Sequence, residues 1–224
     1  MPDQKGKIIV IDGLDGSGKT TQAGLIHDWM AGCGIKSRVL SFPDYDDPSS
    51  TLVKMYLNGQ IAGDMNEVNA YGASSFYAVD RFASYQRFWK EDYAGGTIFI
   101  ANRYTTSNAV HQMTKLPKGE WDSFIAWLED YEYAKLGLPR PDKVFYLDMQ
   151  PSTSRTLILK RYGGDESKMD VHEKDLGYLE SCRETALYAA EKMGWEVVTC
   201  CDGQNPLGLE DIRDMLVAKL TFLK

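Results

Sequence analysis

Eight residues, Gly13-Leu-Asp-Gly-Ser-Gly-Lys-Thr20, constrain this chain more than any others. Their spacing, a glycine, four residues and then Gly18-Lys19-Thr20, is that of a phosphate-binding loop. The flanks agree. Lys7-Ile-Ile-Val-Ile11 is a short apolar run of the kind a buried parallel strand needs. Residues 19–31 read as a helix with Leu25, Ile26 and Trp29 on one face. A strand that turns through glycines into a helix aims backbone N–H groups and the positive end of the helix dipole at one point. Side chains on the loop would keep phosphates away, which is why glycine recurs there. Gly13, Asp15, Gly16, Ser17, Gly18, Lys19, Thr20 and Thr21 are the candidate contacts to a nucleoside triphosphate. Lys19 would supply a cation for the outer phosphates and Thr20 a hydroxyl for magnesium. A chance glycine-rich turn is the bland alternative, and it does not account for the strand and helix on either side.

The rest of the chain repeats the β–α theme. Strands are expected at residues 7–12, 37–42, 97–102, 143–149 and 195–200. Helices are expected at 19–31, 49–58, 66–89, 118–135, 152–162, 171–193 and 209–220. This alternation predicts an α/β fold, a five-stranded parallel sheet with helices on both faces. Its 224 residues show no repeat and no low-complexity linker, so residues 1–224 read as one domain. A net charge of −7 without a dense basic run argues against nucleic acid as a partner. No apolar stretch reaches the roughly 20 residues that span a bilayer, and no secretory signal opens the chain. Cys33, Cys182, Cys200 and Cys201 form no Cys-x-x-Cys pair, which favours plain thiols and a reducing, cytoplasmic setting. Residues 161–170 are polar, carry Gly163-Gly164 and lie between two helices. They could form a lid over phosphates or an ordinary helix–helix loop.

In open sheets of this kind ligands sit beyond the carboxyl ends of the strands. That rule selects Asp12 and Asp15, residues 43–47, Asn102-Arg103-Tyr104, Asp148 and residues 201–204. With these in view, the chain resembles the thymidylate kinase family nearly end to end. The likeness rests on the phosphate loop with its inner Asp15, Phe42-Pro43, Tyr77-Ala-Val-Asp-Arg81 and Asn102-Arg103-Tyr104. Gly137-Leu-Pro-Arg-Pro-Asp142 and Asp170-Val-His-Glu173 complete it.

The resemblance implies transfer of the γ-phosphoryl group of ATP, with Mg²⁺, to dTMP. It also implies roles. Tyr77 and Arg81, four apart on a helix, share a face, where the ring would stack on a pyrimidine and the guanidinium would bond its carbonyl edge; Phe76 should point elsewhere. Core packing and an ion pair are the structural alternative. Arg103 would clamp the acceptor phosphate through a bidentate contact, with Phe42, Tyr45, Ser107 and Asn108 nearby. His111 stands where an aromatic ring crowds the sugar. Asp15 would meet the acceptor's 3′-hydroxyl or a magnesium-bound water, and Asp12 would support it. Some members carry arginine where this chain has Gly16, so the catalytic cation should come from the lid: Arg161 first, then Lys168 and Lys160. Asp170 and Glu173 also fit a helix capping box. The segment 202–204 would border adenine.

Two departures stand out. The family's Asp-Arg-Tyr is here Asn102-Arg-Tyr, so a magnesium-positioning carboxylate becomes a neutral amide. An arginine usual after Phe-Pro is here Tyr45. These keep two rivals in play: a deoxynucleoside kinase using Asp44 as base, and a nucleotide-binding regulator without catalysis. The family likeness further suggests a homodimer through apolar residues of 66–89.

Overall fold

The computed structural model describes residues 5–63, 67–169 and 174–221. Five parallel strands run β1 (Ile8–Gly13), β2 (Ser37–Ser41), β3 (Ile98–Asn102), β4 (Lys143–Asp148) and β5 (Glu196–Thr199), in the spatial order β2-β3-β1-β4-β5. The five expected strands are therefore present, and the fold is that of a P-loop NTPase. The central strand β1 pairs on both sides, with Ile11 opposite Asn102 and Gly13 opposite Leu147. This register brings the phosphate loop beside the ends of β3 and β4.

Burial on both faces explains the unbroken apolar runs. Because strand side chains alternate, Ile8 and Val10 join Phe99, Ala101 and Tyr146 on one face, whereas Ile9 and Ile11 join Ile100, Phe145 and Leu147 on the other. The second face is covered by Ala23, Ile26 and Met30 of α1 (Lys19–Gly32) and by Ile212 and Leu216 of the last helix, Leu209–Ala218. The first is covered by the remaining large helices.

Those helices are α3 (Ala70–Ser84), α4 (Lys90–Ala94), α5 (Thr106–His111), α6 (Trp121–Glu129) and α8 (Leu176–Met193); α2 (Thr51–Leu57), α7 (Pro151–Arg161), whose Leu157 packs on the second face, and α9 at Leu209–Ala218 complete the set. The helix expected at 66–89 begins only at Ala70, where the Asn69 side chain accepts from the Gly72 amide at 2.8 Å. It then runs on through a π-helical turn at Tyr85–Trp89 into α4. A second π turn, Asp130–Lys135, extends α6. Of the helix expected at 171–193, Lys174 and residues 176–193 are helical; the long segment Leu176–Met193 has Asp175 as N-cap, accepting from the Tyr178 amide at 3.0 Å, and residues 171–173 lie outside the described residues. Asp170 and Glu173, the expected capping box, lie outside the described residues. The short helix α5 and a two-stranded hairpin, Cys201–Asp202 with Asn205–Pro206, were not anticipated.

Candidate active site

The phosphate cradle is built by the turn from β1 into α1. Ser17 N–H donates to the Leu14 carbonyl at 3.1 Å, and Gly16 and Gly18 take left-handed φ values of 80° and 89°. No side chain caps α1 and no acid sits in its first turn, so its open amides are left for an anion. Lys19, only 6% exposed, folds back to donate to the Leu14 carbonyl at 2.7 Å. Burial and the nearby Arg103 push its ammonium down to about 8, against the pull of Asp15 and Asp12. Gly13 and Ser17 are both buried and packed against each other: a Cβ at Gly13 would lie 2.6 Å from Ser17 Oγ.

A magnesium ion would fit beside this cradle. Thr20 Oγ1 lies 3.0 Å from Asn102 Nδ2, which also reaches Ser41 Oγ at 3.1 Å, while Asn102 Oδ1 is buried without a hydrogen-bond partner. A hydroxyl and an orphaned amide oxygen at the phosphate loop are hard neutral donors, which suits an ion held chiefly by phosphates and water.

Arg103 dominates the middle of the site. It is the one non-glycine residue with a left-handed φ, 65°, among the described residues, and such strain concentrates at functional positions. The bend turns its guanidinium off the sheet rim. There it donates to Asp15 Oδ1 at 2.5 Å and Ser107 Oγ at 3.4 Å, and meets His111 Nε2 at 2.8 Å. Asp12, fully buried, supports the cluster by accepting from Thr106 Oγ1 (2.6 Å), Ser107 Oγ (2.7 Å) and the Gly13 amide (2.8 Å). Burial works against ionisation of Asp15, but Arg103 and Lys19 outweigh it and hold the carboxyl well below the usual carboxylate range. Asp15 engages Arg103 while its side chain, 38% exposed, lines the cavity. His111 is pushed down to about 3 by burial and by Arg103. It stays a neutral acceptor for the guanidinium, and its Nδ1 faces Tyr178 Oη at 3.2 Å.

Tyr77 and Arg81 both line the far end of the cavity, as their spacing predicts, while Phe76 turns away to pack near Tyr56, ring centroids 5.9 Å apart. Arg81 is not a surface ion-pair residue. It is 2% exposed and forks onto Glu132, with Nε donating to Oε2 at 2.7 Å. Glu132 was missed by the sequence reading, as was Tyr178. A signal for Glu132 existed: it falls four residues after Leu128, on the same buried stripe as Trp121, Phe124 and Ile125.

The cavity that joins these groups measures about 750 Å³. Its lining includes Asp15, Gly16 and residues 18–21 of the phosphate loop, Asn102, Arg103, Arg161 and all the acceptor-side candidates, the half-exposed Tyr45, buried Phe42 and exposed Thr21 among them; Gly13, Ser17, Asp12, Lys160 and residues 202–204 are not part of it. Arg161 closes one side from the end of α7, its guanidinium 5.0 Å from the Tyr162 ring centroid. α7 also packs over the phosphate loop: a Cβ at Gly16 would sit 2.7 Å from Ser154 O and 2.8 Å from Ile158 Cγ1. Lys168 is turned to Asp165 at 3.9 Å and does not reach the cavity wall. Asp44 lines a separate outer groove with Arg38 and Phe88.

Comparison with known proteins agrees with this geometry. A sequence model described as thymidylate kinase matches residues 11–209. A thymidylate kinase of Mycobacterium tuberculosis is 29% identical over 136 residues, 60% of this chain and 62% of that protein. A probable thymidylate kinase of Staphylothermus marinus is 27% identical over 223 residues, 99% of this chain and all of the other. In three dimensions the chain superposes on a thymidylate kinase from Candida albicans with a TM-score of 0.68 at 19% identity, over 98% of this chain and 92% of that one. Since the match runs from the first strand to the first residue of the last helix, across both ends of the cavity, the chain belongs to the thymidylate kinase family.

Proposed function

We propose that the protein transfers the γ-phosphoryl group of ATP to dTMP, giving dTDP and ADP. The observation that carries this reading is the single cavity running from the amides and Lys19 of the phosphate loop, past Arg103, to Tyr77 and Arg81. Its volume, about 750 Å³, lies toward the upper part of the range of small-molecule sites. The acceptor phosphate is itself the nucleophile and is anionic at neutral pH, so no general base is needed. Positioning and charge neutralisation are then the whole task. Arg103 would exchange its contacts with Asp15 and His111 for the acceptor phosphate. Lys19 and Arg161 would face the transferred oxygens. Thr20 and Asn102 would hold magnesium, which when bound offsets charge on the outer phosphates of ATP.

The rival readings draw less support. A nucleoside kinase would need Asp44 as base, and Asp44 faces the outer groove, with its amide donating to Asp80 Oδ2 at 3.0 Å. A non-catalytic regulator would rest on Asn102 alone. The same proposal includes a homodimer, for which exposed Val79 and Phe88 along the α3–α4 rod offer apolar surface, and a cytoplasmic setting consistent with four free thiols. Among the described residues no helix is long and apolar enough to cross a membrane. A coupled ADP-release assay with Mg·ATP against nucleosides and monophosphates tests the activity: turnover is expected with dTMP, and turnover with thymidine but not dTMP would replace the proposal by the nucleoside kinase.

A further inference from the structure

At the base end of the cavity three polar side chains from three elements meet almost without solvent. Arg81 of α3 and Asn108 of α5 are each 2% exposed, and Glu132 of the π turn after α6 is fully buried. Glu132 divides its two oxygens between the other two. Oε2 accepts from Arg81 Nε at 2.7 Å, and Oε1 accepts both from the second Arg81 nitrogen and from Asn108 Nδ2, the latter at 3.0 Å.

This arrangement fixes which way the Asn108 amide points. Its Nδ2 donates to Glu132 Oε1 and, at 3.3 Å, to the Ser74 carbonyl. A carboxylate and a carbonyl can only accept. Turning the amide over would set its oxygen against two buried acceptors and forfeit both Nδ2 hydrogen bonds, a cost on the order of 1–3 kcal/mol. The oxygen is therefore what Asn108 offers to the cavity it lines. Arg81 is held in the same way. Two of its five N–H groups go to Glu132 and one to the Tyr104 carbonyl at 3.3 Å, so what it offers the cavity are donors.

We propose that Glu132 is a positioning residue that sets the hydrogen-bond polarity of the base pocket, a fixed donor from Arg81 beside a fixed acceptor from Asn108. The edge that complements this pair is a ring carbonyl next to a ring N–H, as in thymine and uracil. Cytosine presents an amino donor and a bare ring nitrogen there, which is the opposite pattern at both positions. The inference rests on the activity proposed above and adds the origin of its base selectivity: a carboxylate that touches no substrate. A core ion pair kept only to neutralise Arg81 would not need the third contact to Asn108.

The test is Glu132→Gln. A glutamine keeps an acceptor at only one of the two carboxylate positions: with its oxygen on Arg81 Nε, its amide meets Asn108 Nδ2 and releases Asn108 to turn over; with its oxygen on Asn108, it opens the Arg81 fork, so half of the fixed pair is lost either way. The ratio of kcat/KM for dTMP to that for dCMP should fall by about tenfold or more. The fall should come mainly from a higher KM for dTMP, with kcat within about threefold. Glu132→Asp, which keeps the charge, should recover part of the ratio. A purely structural role would lower melting temperature and active fraction but leave the ratio unchanged, and an unchanged ratio overturns the proposal. Should the variants fail to fold, a crystal structure of the unaltered protein with dTMP decides. The proposal requires Asn108 Oδ1 on the ring N–H with Glu132 still bound to both partners; Nδ2 on the base, or Glu132 detached from Asn108, refutes it. Absence of any turnover of dTMP by the unaltered protein would instead refute the parent reading, whatever the crystal shows.

Discussion

Lys19 shows how single residues in this site trade stability for function. Burial, then Arg103, moves its ammonium down to about 8 in the unliganded protein. The unfolded chain keeps that proton up to its ordinary range near 10.5. Between about pH 8 and 10.5 the unfolded state thus binds more protons, and this group makes the empty fold more stable as pH rises. ATP reverses the balance, because a triphosphate beside Nζ favours the charged form. Binding at pH 9 should take up close to one proton, seen as a calorimetric heat that varies with the ionisation enthalpy of the buffer. A heat independent of buffer, or identical uptake in Lys19→Met, would sink the assignment. His111 should do the opposite of a switch: held near 3 by burial and Arg103, its ring resonances should not titrate between pH 5 and 8. Asn102 makes a second residue-scale prediction. Both its partners are hydroxyls, which donate as readily as they accept, so Asn102→Asp should fit without rearrangement and lower the magnesium needed for half-maximal rate several-fold. An unchanged magnesium requirement would mean that position 102 has no part in holding the ion.

Among the elements, α7 explains why position 16 is glycine. Its Ser154 and Ile158 fill the space a side chain would need, and the backbone there has φ 80°. Gly34, with φ 72° and nothing within 4 Å of its missing Cβ, provides the control. Gly34→Ala carries the conformational strain alone, roughly 1 kcal/mol. Gly16→Ala adds a clash and should cost roughly 1–3 kcal/mol more by urea denaturation. Equal costs would mean that α7 yields freely. Gly16→Arg, which imports the arginine of other family members, should then lower kcat rather than raise it. The strands were legible because burial on both faces favours apolar and aromatic residues along 8–11 and 144–147. Element ends were less so: the start of α3 is set by an Asn69 cap and its end by a π turn, and neither feature has a hydrophobic period to read. Glu132 was hidden for a related reason. An acid on a helix is read as a solvated one unless its place on the stripe of Trp121, Phe124, Ile125 and Leu128 is followed into the π turn.

For the whole molecule, the sheet divides the labour. β1 and α1 form the phosphate cradle, β3 and α5 carry Arg103 and Asn108, proposed to meet the acceptor, and α7 crosses over the phosphate loop from the β4 side. The loop, the rim residues and their pairing at a helix spacing could be read in the chain. The Arg81–Glu132 pair, 51 residues apart, could not, because only the packing of α3 against the extension of α6 creates it. The same distribution places the last cation apart from the phosphate cradle. Arg161 stands one turn beyond Ile158, whose Cγ1 lies over Gly16, so a helix too close to allow a side chain at 16 delivers its own guanidinium to the cavity. In the proposed reaction this group meets the transferred oxygens and should act on the chemical step. Arg161→Ala should lower kcat by about a hundredfold or more, with KM for ATP within about threefold. Arg161→Lys should recover part of the loss, since a point charge replaces the fork but not its geometry. A raised KM with kcat intact would make Arg161 a ground-state contact, and the transferred oxygens would then rely on Lys19 and the metal alone.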